Sequence, residues 1–209
     1  ILIKYVVYGK LDIGELTKPS APIISFVSGE EGENGWYTSN VVLKVTKPEN
    51  SPIPITDMIC SITGTRNQGE EVIRDGENIT IELEGIYEIN CYSLTQTGVK
   101  SVAATRTVKI DKTAPISANL MATLKDANGA PYQFGTPINQ NVYLQTTGGE
   151  DNISGIKEVT IETTGATKLP KGTKTPVTIE NNGTTNIVVT TKNNAGFTSQ
   201  KNYTIIIDK

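Results

Sequence analysis

Apolar and polar side chains alternate along this chain in short runs, and no run repeats its apolar positions at the three-to-four-residue spacing of a helix. The segment "IYEINCY" shows the alternation most plainly: Tyr87, Ile89 and Cys91 fall on one face, Glu88 and Asn90 on the other. A period of two is what a half-buried strand requires, because successive side chains leave opposite faces of the pleat. Gly, Pro, Asn and Asp punctuate the runs. The pattern predicts strands near 22–28, 37–46, 56–64, 78–83, 86–94 and 101–110. It predicts a second set near 116–124, 139–147, 156–164, 176–181, 185–192 and 200–207. Tight turns fall at Glu84–Gly85 and Asn182–Gly183, and the second pair supplies the positive φ angles of a short hairpin.

The two sets are copies of one plan. The phrases Ile110–Asp111–Lys112 and Ile207–Asp208–Lys209 lie 97 residues apart, each after an alternating strand and a Gly-containing turn. The middle of the first copy (78–98) matches the middle of the second (176–196) in the same order of strand, turn and strand. Six or seven short strands per repeat, with turn signals between them, predict an all-β protein of two tandem immunoglobulin-like β-sandwich domains. The first spans 19–112 and the second 113–209, with residues 1–18 as an N-terminal extension. Pro115 donates no ladder hydrogen bond and holds Ala114 extended, so "DKTAP" reads as a junction, and "LTKPSAP" (16–22) repeats the device before the first domain. The chain stops at "IIIDK", where another "TAP" is expected. It reads either as a natural end or as a fragment cut at a domain boundary.

Composition narrows the chemistry. Ile, Val and Thr make up roughly a third of the 209 residues, and these β-branched residues suit a pleated surface. The net charge is −3 and the one basic stretch, "KLPKGTK" (168–174), reads as a solvated loop, which argues against a nucleic-acid partner. Histidine is absent, which removes the commonest general base and transition-metal ligand. No carboxylate pair sits in a recognisable pocket motif, so the chain reads as non-catalytic and without a cofactor. No apolar run reaches the roughly 18 residues of a membrane-spanning helix.

The stretch "SGEEGENGWYTSNVVLKVT" (28–46) carries Gly29, Gly32, Asn34, Gly35, Trp36, Tyr37, Ser39 and Val41. Glu84, Gly85, Tyr87 and Ile89 form "EGxYxI", and Asp111, Thr113, Ala114 and Pro115 form "DxTAP". In these motifs, and in a looser "DNISGIKEV" (151–159), the sequence resembles the bacterial Ig-like repeats of Gram-positive cell-surface and secreted proteins. The resemblance covers residues 19–209. It implies an extracellular, cell-surface location and a role as stalk, spacer or adhesive unit, and it names no ligand.

Several residues stand out as candidate sites. Cys60 and Cys91 both face the core in the strand reading, where they form either a disulfide, which an extracellular setting permits, or two buried thiols. Trp36 and Tyr37 offer a sugar-stacking pair or a cap on the core. Asp111, Glu150, Asp151 and Asn152 offer oxygens to calcium, although no D-x-D-x-D-G spacing is present. The apolar segment Ile1, Leu2, Ile3, Tyr5, Val6, Val7 and Tyr8 lies outside both repeats. It reads as the last strand of a preceding segment, as the end of a pilin-type helix, or as an assembly strand that adds to the open edge of another subunit. The functional expectation is therefore a stalk or spacer of a bacterial surface protein. The alternatives are a filament or pilus subunit that self-associates through residues 1–8, and an adhesin for a glycan or host protein.

Overall fold

The computed structural model describes residues 18–209, and every regular element in it is a strand. The N-terminal assembly segment, Ile1 to Tyr8, lies outside the described residues. The chain divides into two compact units: residues 18–30 with Ser39–Ile110, and Glu31–Thr38 with Asp111–Lys209.

In the first unit β1 (Ile23–Ser28), β2 (Val41–Thr46) and β5 (Glu77–Ile81) form one sheet in the order β1-β2-β5. The other sheet has the order β4-β3-β6-β7, from β3 (Asp57–Gly64), β4 (Gln68–Ile73), β6 (Gly85–Leu94) and β7 (Ala104–Ile110). Both sheets are antiparallel. Their inner faces supply Val41, Leu43, Val45, Ile79 and Ile81 on one side and Met58, Cys60, Ile62, Tyr87, Ile89, Cys91, Val108 and Ile110 on the other, all buried. The Tyr87 hydroxyl donates to the Glu84 carbonyl at 3.3 Å, the corner bond by which immunoglobulin-like domains fix the entry of this strand. Burial pushes the Tyr87 hydroxyl pKa up, with Arg66 pulling weakly the other way.

The second unit repeats the plan. β8 (Asn119–Leu124), β10 (Val142–Thr147) and β12 (Val177–Ile179) form the sheet β12-β10-β8. The facing sheet has the order β11-β13-β14-β9, from β9 (Pro137–Ile138), β11 (Ile156–Gly165), β13 (Gly183–Asn193) and β14 (Thr198–Ile207). Here β9 pairs in parallel with the end of β14. Leu144, Ile161, Ile179, Ile187, Val189 and Ile205 fill the core. The chain is thus all-β, two tandem immunoglobulin-like sandwiches.

Three differences from the sequence pattern have physical causes. The turns at Glu84–Gly85 and Asn182–Gly183 do not close hairpins, because β5 and β6, like β12 and β13, belong to facing sheets. The glycines still need positive φ, +137° at Gly85 and +112° at Gly183. A Cβ on Gly85 would also stand 2.0 Å from the Thr65 hydroxyl oxygen. The strand β4 was not expected, because "QGEEVI" has no alternation: it lies on a sheet edge with five of its six residues exposed. The strand expected from 37 begins only at Val41, after a loop.

Cys60 and Cys91 face each other across β3 and β6 and are joined by a disulfide. It links neighbouring strands of one sheet and encloses β4 and β5. Replacing both cysteines by alanine is expected to cost about 3–4 kcal/mol of stability, from the 31-residue loop it closes. The fall is to be read as a lower urea midpoint that reductant no longer changes.

Candidate functional site

The turn between β13 and β14 is built on Asn193. Its backbone N–H donates to the Phe197 carbonyl (3.0 Å), and its side-chain Oδ1 accepts the Phe197 N–H (2.8 Å). Thr95 does the same in the first unit: its N–H donates to Val99 O (3.1 Å) and its Oγ1 accepts from Val99 N (3.0 Å). The Thr95 hydroxyl makes one further hydrogen bond, to Thr97 Oγ1 within the same turn (3.1 Å). The asparagine has a spare NH₂, and the second unit uses it.

Asn193 is fully buried, and its Nδ2 reaches three oxygens: Asp111 Oδ2 (3.0 Å), the Thr113 carbonyl (3.0 Å) and Asp151 Oδ2 (2.9 Å). Two hydrogens serve three acceptors, so one is shared. Asp111 is also fully buried, and its Oδ1 accepts from the Thr113 N–H (3.0 Å) and hydroxyl (3.3 Å). Asp151 Oδ1 accepts the backbone N–H groups of Ile153 (3.1 Å), Ser154 (2.8 Å) and Gly155 (3.0 Å). Burial raises the Asp151 pKa. The Asn193 amide and the Ser154, Gly155 and Ile153 N–H groups outweigh it, so the net shift is downward from 3.8.

The candidate calcium ligands therefore divide. Asp111 and Asp151 converge, with the Asn193 amide between them. Glu150 joins Ile116 through the main chain, and Asn152 is exposed in the following loop. Among the described residues no group of three His, Cys, Asp or Glu side chains is placed to hold a metal ion.

The segment Glu31–Thr38 also belongs to the second unit. Asn34 (φ +53°) and Gly35 (φ +72°) turn the chain through the left-handed region. A Cβ on Gly32 would stand 2.4 Å from the Ala195 carbonyl, so only glycine fits there. Glu33 N donates to Ala195 O (3.0 Å) and Asn34 Nδ2 to Asn194 O (2.9 Å). The Glu33 carboxylate pairs with Lys157 (2.7 Å) and with Lys192. Those two hydrogen bonds lower the Glu33 pKa, and Glu33 in turn raises that of Lys157. Trp36 is buried, 6 % exposed, and Tyr37 is half-buried. The indole therefore has little open face.

No protein-family model matches this chain, and no curated protein matches it. A similar solved structure is that of the fibronectin(III)-like modules of Clostridium thermocellum CbhA. It is 11 % identical, covers 89 % of this chain and 94 % of that one, and has a TM-score of 0.32. A likeness of that degree carries no functional argument.

Sequence reasoning singled out Asp111 and Asp151 but missed Asn193, Glu33, Lys157 and Lys192. The signal was present in "TKNNAG" (191–196) beside "TQTGV" (95–99), where an asparagine replaces a threonine at one turn position.

Asn193→Asp puts a third carboxylate against Asp111 and Asp151. It is expected to cost about 3–5 kcal/mol at neutral pH, read by urea denaturation. The new acid has a raised folded pKa, so the deficit should shrink as pH falls from 7 toward 5. Over that range wild-type Asp151 keeps its contribution, because a lowered folded pKa stabilises above the unfolded value of 3.8 and that gain is lost only as pH falls below it. Calcium would have to displace the buried amide. The melting temperature in EDTA is therefore expected to equal that in millimolar calcium, measured by calorimetry.

Proposed function

We propose that this chain is a non-catalytic structural module of a bacterial extracellular surface protein, acting as a stalk or spacer. The observation that carries this reading is the tandem repetition of one sandwich plan, with the Asp111 carboxylate at the end of the first copy buried and fully hydrogen-bonded. A sequence spent on two closed cores and their turns suits a mechanical task. The Cys60–Cys91 disulfide fits an oxidising compartment outside the cell. The resemblance in "GWY", "EGxYxI" and "DxTAP" supports a cell-surface parent of Gram-positive type. Membership of that repeat family is part of the proposal.

A second reading, the filament subunit, is favoured by one feature: the side of the first sandwich between β4 and β5 is an open cleft bordered by two sheet edges. The adhesin reading would use Trp36, which is buried.

Surface binding separates a structural module from an adhesin. The purified chain is expected to show no saturable binding on a glycan array or on immobilised extracellular-matrix proteins. A saturable isotherm that Trp36→Ala abolishes would replace the structural reading with adhesion.

A further inference from the structure

A two-sheet sandwich has two flanks where the edges of its sheets face each other, and each flank must be closed or left open. The second unit closes the flank between β11 and β12 with the loop 166–175. Thr163 N donates to Leu169 O (3.1 Å), Leu169 N to Thr163 Oγ1 (2.7 Å) and Ile161 N to Thr173 O (2.7 Å). The Leu169 side chain packs against the core. This plug is an aliphatic residue set between Lys168 and Lys171.

The strand registers show what stands at the same place in the first unit. Ile161 and Thr163 lie opposite Val189 and Ile187. Cys60 and Ile62 lie opposite Cys91 and Ile89. Counted from Gly183 and Gly85, which open the two matching strands, Ile187 corresponds to Ile89 and Thr163 to Ile62. The outer neighbour of Thr163 is Leu169; that of Ile62 is Gln68. Where the second unit has its aliphatic plug, the first has an amide and a cavity of about 430 Å³ bounded by Ile62, Ile81, Leu83 and Glu71. An adjoining cavity of about 200 Å³ shares Ile62 and Glu71 and continues past Ile79 to Glu77. Among the described residues β4 pairs only with β3 and β5 only with β2, so each presents an unpaired edge to this cleft. Among the described residues the cleft therefore offers an apolar floor, the carboxylates of Glu71, Glu82 and Glu77 (the last also accepting the Arg74 N–H at 2.8 Å) against the one cation Arg66, and two strand edges without a ladder partner.

Its fitting occupant has the chemistry of the missing plug: an extended segment carrying aliphatic side chains beside a lysine. The sequence offers that composition in "ILIKYVVY" (1–8), with Lys4 among five Ile, Leu and Val residues. That segment precedes β1, which stands at the opposite edge of its sheet from β5. We propose that the β4–β5 cleft of the first sandwich is the acceptor for residues 1–8 of a second copy of this chain, an aliphatic side chain entering over Ile62 and Lys4 meeting Glu71 and Glu77. The proposal rests on the filament reading and gives it a site.

The test is sedimentation velocity of the full chain over a concentration series. The variants are Gln68→Leu, which supplies the plug internally, Lys4→Glu, Glu71→Lys, and the double charge reversal Lys4→Glu/Glu71→Lys. Fluorescence-anisotropy titration with a labelled peptide of residues 1–10 runs in parallel, and circular dichroism checks that each variant folds. The wild type should associate with rising concentration and bind the peptide. Gln68→Leu should weaken both about tenfold or more, as expected from excluding one aliphatic side chain. Glu71→Lys should weaken both severalfold. Lys4→Glu should weaken association while leaving binding of the wild-type peptide unchanged, and the double reversal should restore most of the association. Association that disappears on deleting residues 1–8 but ignores Gln68→Leu and the charge exchange overturns this acceptor and leaves the filament reading standing. Peptide binding that Gln68→Leu abolishes, in a chain that stays monomeric, upholds the cleft and overturns its use by a second copy and the filament reading with it. Absence of both association and peptide binding overturns the proposal outright.

Discussion

A strand buries only every second side chain, so neither unit has a core until two sheets lie face to face. The central strands show the constraint most fully: in β6 and β13 the alternate residues are buried along almost the whole length. Once the faces meet, the remaining problems are at the margins, where turns must cross between sheets and flanks must be sealed. The Tyr87 hydroxyl and the close approach at Gly85 are solutions to the first problem, while the caps made by Thr95 and Asn193 close hairpins within one sheet. The loop that carries Leu169 is a solution to the second.

The two copies solve these problems with different residues, and the differences carry the functional content. At one turn position the first unit has threonine and the second asparagine. The extra NH₂ gives the buried Asp111 carboxylate, and Asp151 beside it, a hydrogen-bond donor. At one flank position the second unit has Leu169 and the first Gln68. An amide beside solvent costs little, and it leaves the cavity over Ile62 open.

The alternation in "IYEINCY" located β6 and the inward direction of Cys91, because a half-buried strand writes its burial directly into residue order. The edge strand β4 is exposed almost throughout, so it leaves no such mark. Which sheet a strand joins was equally hidden: a tight Gly turn looks the same whether the next strand folds back beside the last or crosses to the facing sheet. The meeting of Asp111, Asp151 and Asn193 joins positions as much as 82 residues apart. Local pattern says nothing of such pairings. Only the internal repeat, which places Asn193 against Thr95, held a trace of it.

The Cys60–Cys91 bridge lies within one sheet, between neighbouring strands, and so it does not bolt the two sheets together. Its consequence appears when the molecule is pulled from its ends. The residues between the two cysteines, with all of β4 and β5, stay shielded from tension even after the first sandwich has come apart. At about 3.3–3.6 Å per extended residue, the bridge withholds on the order of 100 Å of contour length, a reserve that only a reducing agent releases.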